Sequence, residues 1–411
     1  MINVEVDYSG LATSKEELKE KLRNLNRPLS IEELTQILDT TIKNDTSNKV
    51  ITFLGMLLTY TNSEQINIGF LAESSTGKSY LPLEVSWYFP AEDVIKLGYV
   101  SPTAFFHEQG QVEVEETEGY KRVKIHVNLR QKILVFLDMP HSGLLERLRP
   151  LLSHDERTIE VRITDRKEKR GLLTKRVIIQ GFPTVIFCSA NETMSEQEKT
   201  RLLLLSPEKT QEKLLSALII KLEREGDKEA FNKFMESEPS RVFLKQRVEI
   251  IKSAHINDII IPKPLREAIL KRFLAKRPYL QPRHTRDVSR LLALIKAHAL
   301  LNYMHRSRED DNITVNMEDV EAGFSLYEQI CEPNEIGISP ELYEIYKAWE
   351  NNGFEGFNIT EFQKFYFKTF HKPVGYERAR RILKNLAAAG LLTEGPDETD
   401  RRQIRFSLLR F

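Results

Sequence analysis

Residues 67–79 have the sequence Asn-Ile-Gly-Phe-Leu-Ala-Glu-Ser-Ser-Thr-Gly-Lys-Ser, and this stretch decides the fold. The apolar run Ile68–Leu71 is short and continuous, which is typical of a strand buried on both faces of a sheet. Small and polar residues follow it, and Gly77 precedes a segment predicted to be helical from 78 to about 87. The stretch therefore predicts a strand, a tight loop and a helix in direct succession.

The loop of this unit has the composition of a phosphate-binding P-loop, with Ala72 where the first glycine usually stands. Small residues let backbone N–H groups curl around a phosphate, and the helix N-terminus adds partial positive charge. Lys78 can reach the outer phosphates, and the Ser79 hydroxyl can bind Mg²⁺. A plain turn with a chance lysine is the alternative, which the preceding strand disfavours. The sequence predicts a nucleoside triphosphate site contacted by Ala72, Glu73, Ser74, Ser75, Thr76, Gly77, Lys78, Ser79 and Tyr80.

Length and composition limit the class of protein. A chain of 411 residues is too long for one ordinary core and predicts roughly two to four domains. The 60 basic and 60 acidic residues cancel, so nucleic-acid binding would need local patches. Cys188 and Cys331 lack metal-ligand spacing and suit a reducing compartment. No apolar run approaches the roughly 18 residues of a membrane span, and no signal pattern begins the chain, so we expect a cytoplasmic protein without a membrane partner.

Strand and helix patterns alternate from residue 49 to 207, which predicts an α/β domain with a largely parallel sheet covered on both faces. Residues 208–332 have helical patterns with almost no strand signal. The further predicted strands are 94–100, 132–138, 184–188 and 202–205, and the predicted hairpins are 111–131, 157–181 and 390–408. We expect four units: an N-terminal helical segment (1–48), the α/β domain (49–207), a helical domain (208–335) and a C-terminal domain (336–411).

Two of the predicted strands end in polar residues that a triphosphate site needs. Asp138 ends one of them, where a carboxylate can hold Mg²⁺ through water, although a solvent-facing acid is the alternative. Asn191 follows the next strand, where it can orient the attacking water or cap a helix. Met139 stands where many such ATPases have a glutamate base, so hydrolysis is expected to be weak or to use another base. The candidates for that base are Glu73, Glu108 and Glu146.

Two arginines complete the predicted catalytic set. Arg201 precedes the strand at 202–205, and Arg286 lies at the start of a long predicted helix. Guanidinium groups stabilise the negative charge that develops on a transferred phosphoryl group. A single arginine is usually a surface residue, but two that follow a P-loop and an acid strand favour catalysis. The predicted catalytic residues are Lys78, Asp138, Asn191, Arg201 and Arg286, and the predicted metal ligands are Ser79 and Asp138.

The sequence resembles the AAA+ ATPases, and more narrowly the minichromosome-maintenance (MCM) helicase branch, in the order of its motifs. These are a P-loop, a strand that ends in an acid, a strand that ends in an asparagine, an arginine before the last strand and a helical region. Residues 157–181 occupy the place where that branch inserts a basic β-hairpin, and 284–292 look like its second sensor helix. The resemblance implies an α/β P-loop AAA+ domain with an all-helical lid and a C-terminal winged-helix domain.

The same resemblance implies ATP and Mg²⁺ at the subunit interfaces of a homo-oligomer, expected to be a hexameric ring. One subunit would supply Lys78, Ser79, Asp138 and Asn191, and its neighbour Arg201 and Arg286. Cellular members carry a long N-terminal DNA-binding region that this sequence lacks. That reduction would fit a replication protein of an archaeal or viral mobile element.

Two basic regions are candidate DNA contacts. The hairpin at 157–181 can project into a ring pore, or it is a solvated charged hairpin. The tail has a second helix with an apolar stripe at Ala379, Ile382, Leu383 and Leu386 and a cationic opposite face, followed by a wing, as in DNA readers; protein contact is the alternative. The predicted DNA contacts are Arg166, Lys167, Lys169, Arg170, Lys175, Arg378, Arg381, Lys384, Arg401 and Arg402.

Three functions agree with these patterns. The first is an ATP-driven DNA motor of the MCM-like helicase type, with DNA as its partner. The basic hairpin favours this function. The second is an ATP-switched replication initiator or loader with weak or no hydrolysis, which Met139 favours. The third is a regulatory NTPase that binds protein partners. ATP turnover with and without DNA, and strand displacement on a forked duplex, separate the three.

Overall fold

The computed structural model describes residues 25–73, 76–98, 105, 110–117, 120–140, 142–165, 173–189, 201–277, 279–397 and 403–409. The strands are β1 Ile68–Leu71, β2 Val94–Leu97, β3 Gly110–Thr117, β4 Tyr120–Asn128, β5 Ile133–Phe136, β6 Thr158–Asp165, β7 Leu173–Gln180, β8 Thr184–Ser189, β9 Leu203–Leu205, β10 Asp258–Ile260, β11 Arg308–Glu309, β12 Asn312–Thr314, β13 Gly356–Asn358, β14 Leu392–Pro396 and β15 Ile404–Leu408.

The helices are α1 Ile31–Leu38, α2 Thr46–Leu57, α3 Tyr80–Ser86, α4 Ser142–Leu152, α5 Gln211–Gly226, α6 Lys228–Ser237, α7 Pro239–Ser253, α8 Lys263–Ala275, α9 His284–Leu301, α10 Met317–Glu328, α11 Cys331–Ile336, α12 Pro340–Asn352, α13 Ile359–Phe370 and α14 Tyr376–Ala388. Short 3₁₀ turns lie at Leu58–Tyr60, Ala91–Asp93 and Tyr303–His305. In the part of the chain that the structure describes, no helix is long and apolar enough to cross a membrane.

A five-stranded parallel sheet lies at the centre, with strand order β2-β5-β8-β1-β9. All residues of β1, β5, β8 and β9 are buried, as expected for strands covered on both faces. The parallel sheet that the apolar runs predict is thus confirmed. Because every strand points the same way, the carboxyl ends of all five meet at one edge of the sheet and the amino ends at the other.

Two hydrophobic cores cover the faces of this sheet. One joins side chains of β1, β5 and β8, such as Phe70, to α1, α2 and the helices from α7 to α10. The other joins the opposite face to α4 and to β4 and β7. Residues 25–48, the described part of the predicted N-terminal segment, therefore pack into the first core, where Ser30 and Glu33 form a capping box at the start of α1.

The hairpins predicted at 111–131 and 157–181 join into one four-stranded sheet with order β3-β4-β7-β6. β4 and β7 pair in parallel, with Lys124 opposite Arg176. Each of these strands begins at the turn of its own hairpin, so both turns lie at the same end of the sheet. From the register, β4 starts four residues before Lys124 and β7 three residues before Arg176, so the starts of the two strands differ by one residue, or about 3 Å. The pairing between the hairpins is not a feature that the sequence pattern predicts.

The helical region from α5 to α11 also contains a small sheet with order β10-β12-β11. The expectation of almost no strand there is therefore corrected. These strands have two or three residues each. Segments that short carry too little alternation for a periodic signal.

The C-terminal unit, residues 337–409, has its own hydrophobic core around Trp349, Phe362 and Phe406. It consists of α12, α13, α14 and a three-stranded sheet with order β13-β15-β14. Asn358 and Glu361 form a capping box at the start of α13. The predicted apolar stripe of α14 is buried at all four positions, Ala379, Ile382, Leu383 and Leu386.

Candidate nucleotide-binding site and arginine cluster

The loop after β1 is a tight turn closed by its own side chains. Gly77 has φ +90°, a conformation that favours glycine, and open space lies where a Cβ would be. Thr76 Oγ1 donates a hydrogen bond of 2.8 Å to the Glu73 carbonyl, and Lys78 Nζ donates one of 3.4 Å to the same oxygen. Ser74 and Ser75 lie outside the described residues.

Ala72 continues the strand rather than starting the turn. Its N–H donates to the carbonyl of Ser189 at 3.3 Å, which extends the pairing of β1 with β8. Ala72 is not among the residues with positive φ. A glycine is therefore not needed at this position, which explains the departure from the usual P-loop pattern.

Three predicted ligand groups converge on the thiol of Cys188, near the end of β8. Burial raises the pKa of this thiol to about 12; a hydrogen bond with Ser79 and the charge of Lys78 act in the opposite direction, while the charge of Asp138 raises it further. Cys188 Sγ lies 3.4 Å from the Lys78 carbonyl oxygen. Lys78 and Ser79 therefore contact Cys188 at the carboxyl edge of the sheet, and the charge of Asp138 acts on the same thiol.

The acid strand presents Asp138 to solvent and turns Met139 inwards. The Asp138 carboxylate accepts a hydrogen bond of 2.8 Å from the Met139 N–H, which fixes its orientation. Met139 itself packs against the core on the α4 side of the sheet. Asn191 follows β8 directly but lies outside the described residues. The side chain at position 139 is therefore part of the core and not of the candidate site.

The candidates for a water-activating base differ in their surroundings. Glu73 pairs with Lys209 at 3.2 Å and with Arg378. Glu146 is exposed on α4. Glu108 lies outside the described residues. Of the two that are described, Glu73 is already held by two cations.

A cavity of about 300 Å³ opens beside the loop at Thr76 and Gly77. One wall is formed by α5, and the other by Thr41, Ile42 and Tyr80, whose hydroxyl donates to the Thr41 carbonyl at 2.8 Å. The α5 wall contains three apolar residues, Leu214, Ala217 and Ile220, beside the charged residues Lys213, Lys221, Arg224 and Glu225. The sequence patterns do not assign α5 to the site, because α5 reaches the loop only through packing between distant segments of the chain. Apolar walls next to a phosphate-type loop suit the base and ribose of a nucleotide.

Arg201 and Arg286 line a second cavity, of about 550 Å³. Arg201 donates to Ser153 Oγ at 2.6 Å, and Arg286 is exposed. Arg290, buried on α9, donates to the Leu202 carbonyl at 2.6 Å and so ties the helix that carries Arg286 to the residue next to Arg201. The sequence patterns do not single out Arg290.

The arginine cavity lies at the amino edge of the central sheet. Its lining includes Asn67, which precedes β1, and Leu203, which begins β9. The four residues of β1 span about 13 Å between this edge and the loop at the other end. Among the described residues, none lines both cavities. The two halves of the predicted catalytic set therefore lie at opposite edges of the same sheet.

The predicted DNA contacts fall into three groups. Arg381 and Lys384 are exposed on α14. Arg378, on the same helix, pairs with Glu73 and with Glu341 instead of facing open solvent. The backbone of Lys175 lies in β7, and Arg166, Lys167, Lys169, Arg170, Arg401 and Arg402 lie outside the described residues.

Comparisons with known proteins add one structural likeness. No protein-family model matches the chain, and no curated protein matches its sequence. A crystal structure of a full-length MCM homolog from Methanopyrus kandleri is similar to it with a TM-score of 0.48 and 14% sequence identity. The alignment covers 81% of this chain and 63% of that chain. A likeness of this degree does not show a family for the chain.

Proposed function

We propose that the protein is an ATPase whose active site is completed by a second copy of the same chain, and that it is a DNA motor of the MCM-like type. The observation that carries the proposal is the separation of the phosphate-type loop and the arginine cluster at opposite edges of one parallel sheet. In a single copy the arginines do not approach the loop. A head-to-tail contact between copies would place the amino edge of one against the carboxyl edge of the next.

The loop edge has the groups that a Mg²⁺-bound triphosphate requires. Gly77 leaves open space for a phosphate to approach the backbone, and Lys78 supplies a cation for the outer phosphates. The Ser79 hydroxyl and the Asp138 carboxylate are hard oxygen donors of the kind that Mg²⁺ prefers, and both lie beside Cys188. Mg²⁺ held there would neutralise charge on the phosphate oxygens.

The arginine edge would act on the neighbouring copy. Arg201 and Arg286 would stabilise the charge that develops on the transferred phosphoryl group, while Arg290 holds the helix that carries Arg286 next to Leu202. A head-to-tail contact that closes gives a ring, and the expected number of subunits is six.

DNA is the proposed partner. The two hairpins are joined through the parallel pairing of β4 with β7, and basic residues lie in and beside the turn of the second hairpin in the sequence. Arg381 and Lys384 provide a second cationic surface on α14, in a C-terminal unit of proposed winged-helix type. Contacts of this kind bind phosphates and are largely independent of sequence.

The alternative is a nucleotide-switched initiator or loader. The observation that favours it is Met139, which packs into the core where a glutamate base would otherwise stand. Slow hydrolysis would then serve to change the state of the ring rather than to move the ring along DNA.

Turnover measurements with the full chain test the proposal. We expect ATP binding by calorimetry and hydrolysis that single-stranded DNA stimulates. Strand displacement on a forked duplex would identify a motor, whereas DNA-stimulated hydrolysis without displacement would identify the switch. If neither ATP nor ADP binds in the presence of Mg²⁺, the proposal is wrong.

A further inference from the structure

We propose that Glu73, Lys209, Glu341 and Arg378 form an electrostatic latch that docks the C-terminal unit on the phosphate-type loop, and that DNA opens it by competing for Arg378. The latch itself follows from contacts in the structure. Its opening by DNA rests on the DNA partner proposed above.

The four residues form a closed ring of alternating charge. Lys209 Nζ lies 3.2 Å from Glu73 Oε2 and 2.5 Å from Glu341 Oε1. Arg378 lies 2.9 Å from the same Glu341 oxygen and forms its other ion pair with Glu73. Each cation therefore bridges two carboxylates, and each carboxylate bridges two cations.

The ring joins two parts of the fold in equal shares. Glu73 belongs to the loop after β1, and Lys209 to the connection between β9 and α5. Glu341 begins α12, and Arg378 lies in the first turn of α14, so both belong to the C-terminal unit. Each part supplies one acid and one base, so the charges of the contact balance.

The linker between the two parts allows the latch to set their relative position. Asn334 in α11 is bound to the edge strand β9, since its side chain accepts from the Leu204 N–H at 2.8 Å and donates to the Leu204 carbonyl at 2.9 Å. Gly337 follows with φ +82° and ends α11. Four residues later the chain reaches Glu341. The linker is therefore fixed up to α11. Beyond Gly337, Tyr343 on α12 donates a hydrogen bond to Glu332 of α11, and the latch adds the ion pairs that hold the C-terminal unit against the loop.

The latch is held by charge and is only partly shielded from solvent. The Glu341 side chain is 10% exposed, whereas those of Arg378 and Glu73 are 31% and 36% exposed. Pairs that remain open to water are weak singly and are screened by salt, so a network of this kind can be opened by a competing ion. A phosphate at the loop or along a DNA backbone is such a competitor.

Arg378 is the residue for which docking and DNA compete. It lies one helical turn before the exposed Arg381 on α14, so a strand of phosphates that contacts Arg381 and Lys384 also reaches the position of Arg378. A DNA phosphate bound to Arg378 would weaken the ion pair between Arg378 and Glu73, because both anions compete for the same guanidinium group. DNA binding to this face would therefore release Glu73 and the loop that carries it.

Interspin distances measure docking without any need for hydrolysis. Spin labels would be placed on the full chain at Lys228→Cys in α6 and Lys368→Cys in α13, in a Cys331→Ser background with Cys188 buried. We expect one narrow distance distribution for the docked chain at low salt. Glu341→Lys places a third cation in the ring, and it should broaden and lengthen the distribution.

Matched variants separate the latch from a general loss of folding. In the double variant Lys209→Glu/Glu341→Lys the two parts again attract each other, so the narrow distribution should return. Glu350→Lys makes the same charge change on α12, where the partners of Glu350 in the described part of the chain are Lys347 and Tyr346 of the same helix, and it should leave the distribution unchanged.

Two results would overturn the proposal. If Glu341→Lys gives the same distances as the unmodified ring, the latch does not hold the unit. If a saturating single-stranded DNA leaves the narrow distribution unchanged at low salt, DNA does not compete for Arg378. An absence of ATP turnover would instead refute the proposed function, because the distances depend only on docking.

Discussion

The two edges of the central sheet differ in chemistry although the same strands form both. The carboxyl edge has a loop of small residues, a lysine, a hydroxyl and a carboxylate around Cys188. The amino edge has Arg201 and Arg286 in a cavity tied together by Arg290. One edge is suited to hold a phosphate chain and the other to stabilise charge on one. Under the proposed function, the unit of function is a pair of edges from two copies.

Removing the cation of the carboxyl edge should have the largest effect. We expect Lys78→Ala to reduce ATP turnover to background, because the outer phosphates lose their charge partner. The circular dichroism spectrum should be unchanged, since within the described residues the Lys78 side chain makes one hydrogen bond, of 3.4 Å, to the Glu73 carbonyl. Turnover equal to that of the unmodified protein would exclude the loop from the active site.

Removing a cation of the amino edge should lower the rate and leave binding intact. We expect Arg286→Ala to reduce turnover by about 100-fold or more, because arginines of this kind act on the transition state. ATP affinity in calorimetry should change by less than about threefold, since ground-state binding belongs to the other edge. Arg266→Ala, on the exposed side of α8, removes the same charge elsewhere and serves as the control.

A weaker perturbation concerns the backbone of the loop. Gly77→Ala places a Cβ on a residue with φ +90°, which costs about 1–2 kcal/mol in the bound conformation. We expect ATP affinity to fall about tenfold. Gly98→Ala is the matched control, because Gly98 also has open space around it but no positive φ. Equal affinities for the two variants would show that the turn at Gly77 is not used for binding.

The elements at the two edges were predictable because their signals are local. The strand Ile68–Leu71 has the predicted bounds. The strand that precedes Asp138, Ile133–Phe136, lies within the predicted range 132–138. Continuous apolar runs and capping boxes each involve a few neighbouring residues, so one sequence contains them in full.

The relations between elements were not predictable, because they depend on packing between distant segments. The parallel pairing of β4 with β7, the α5 wall beside Gly77 and the pairing of Arg378 with Glu73 all join residues that are far apart in the chain. Arg378 shows the consequence most clearly. Its cationic helix face predicts a DNA contact, whereas the fold brings it to an acid of the loop.

The most direct test of a site divided between two copies is a mixture of two inactive variants. Lys78→Ala and Arg286→Ala would be mixed in equal amounts and allowed to assemble. In a randomly mixed head-to-tail assembly, about one interface in four combines an intact Lys78 with an intact Arg286, so turnover should recover to about a quarter of the unmodified rate. A mixture that assembles and stays at the background of the separate variants would show that both residues act within one chain, which would contradict the account.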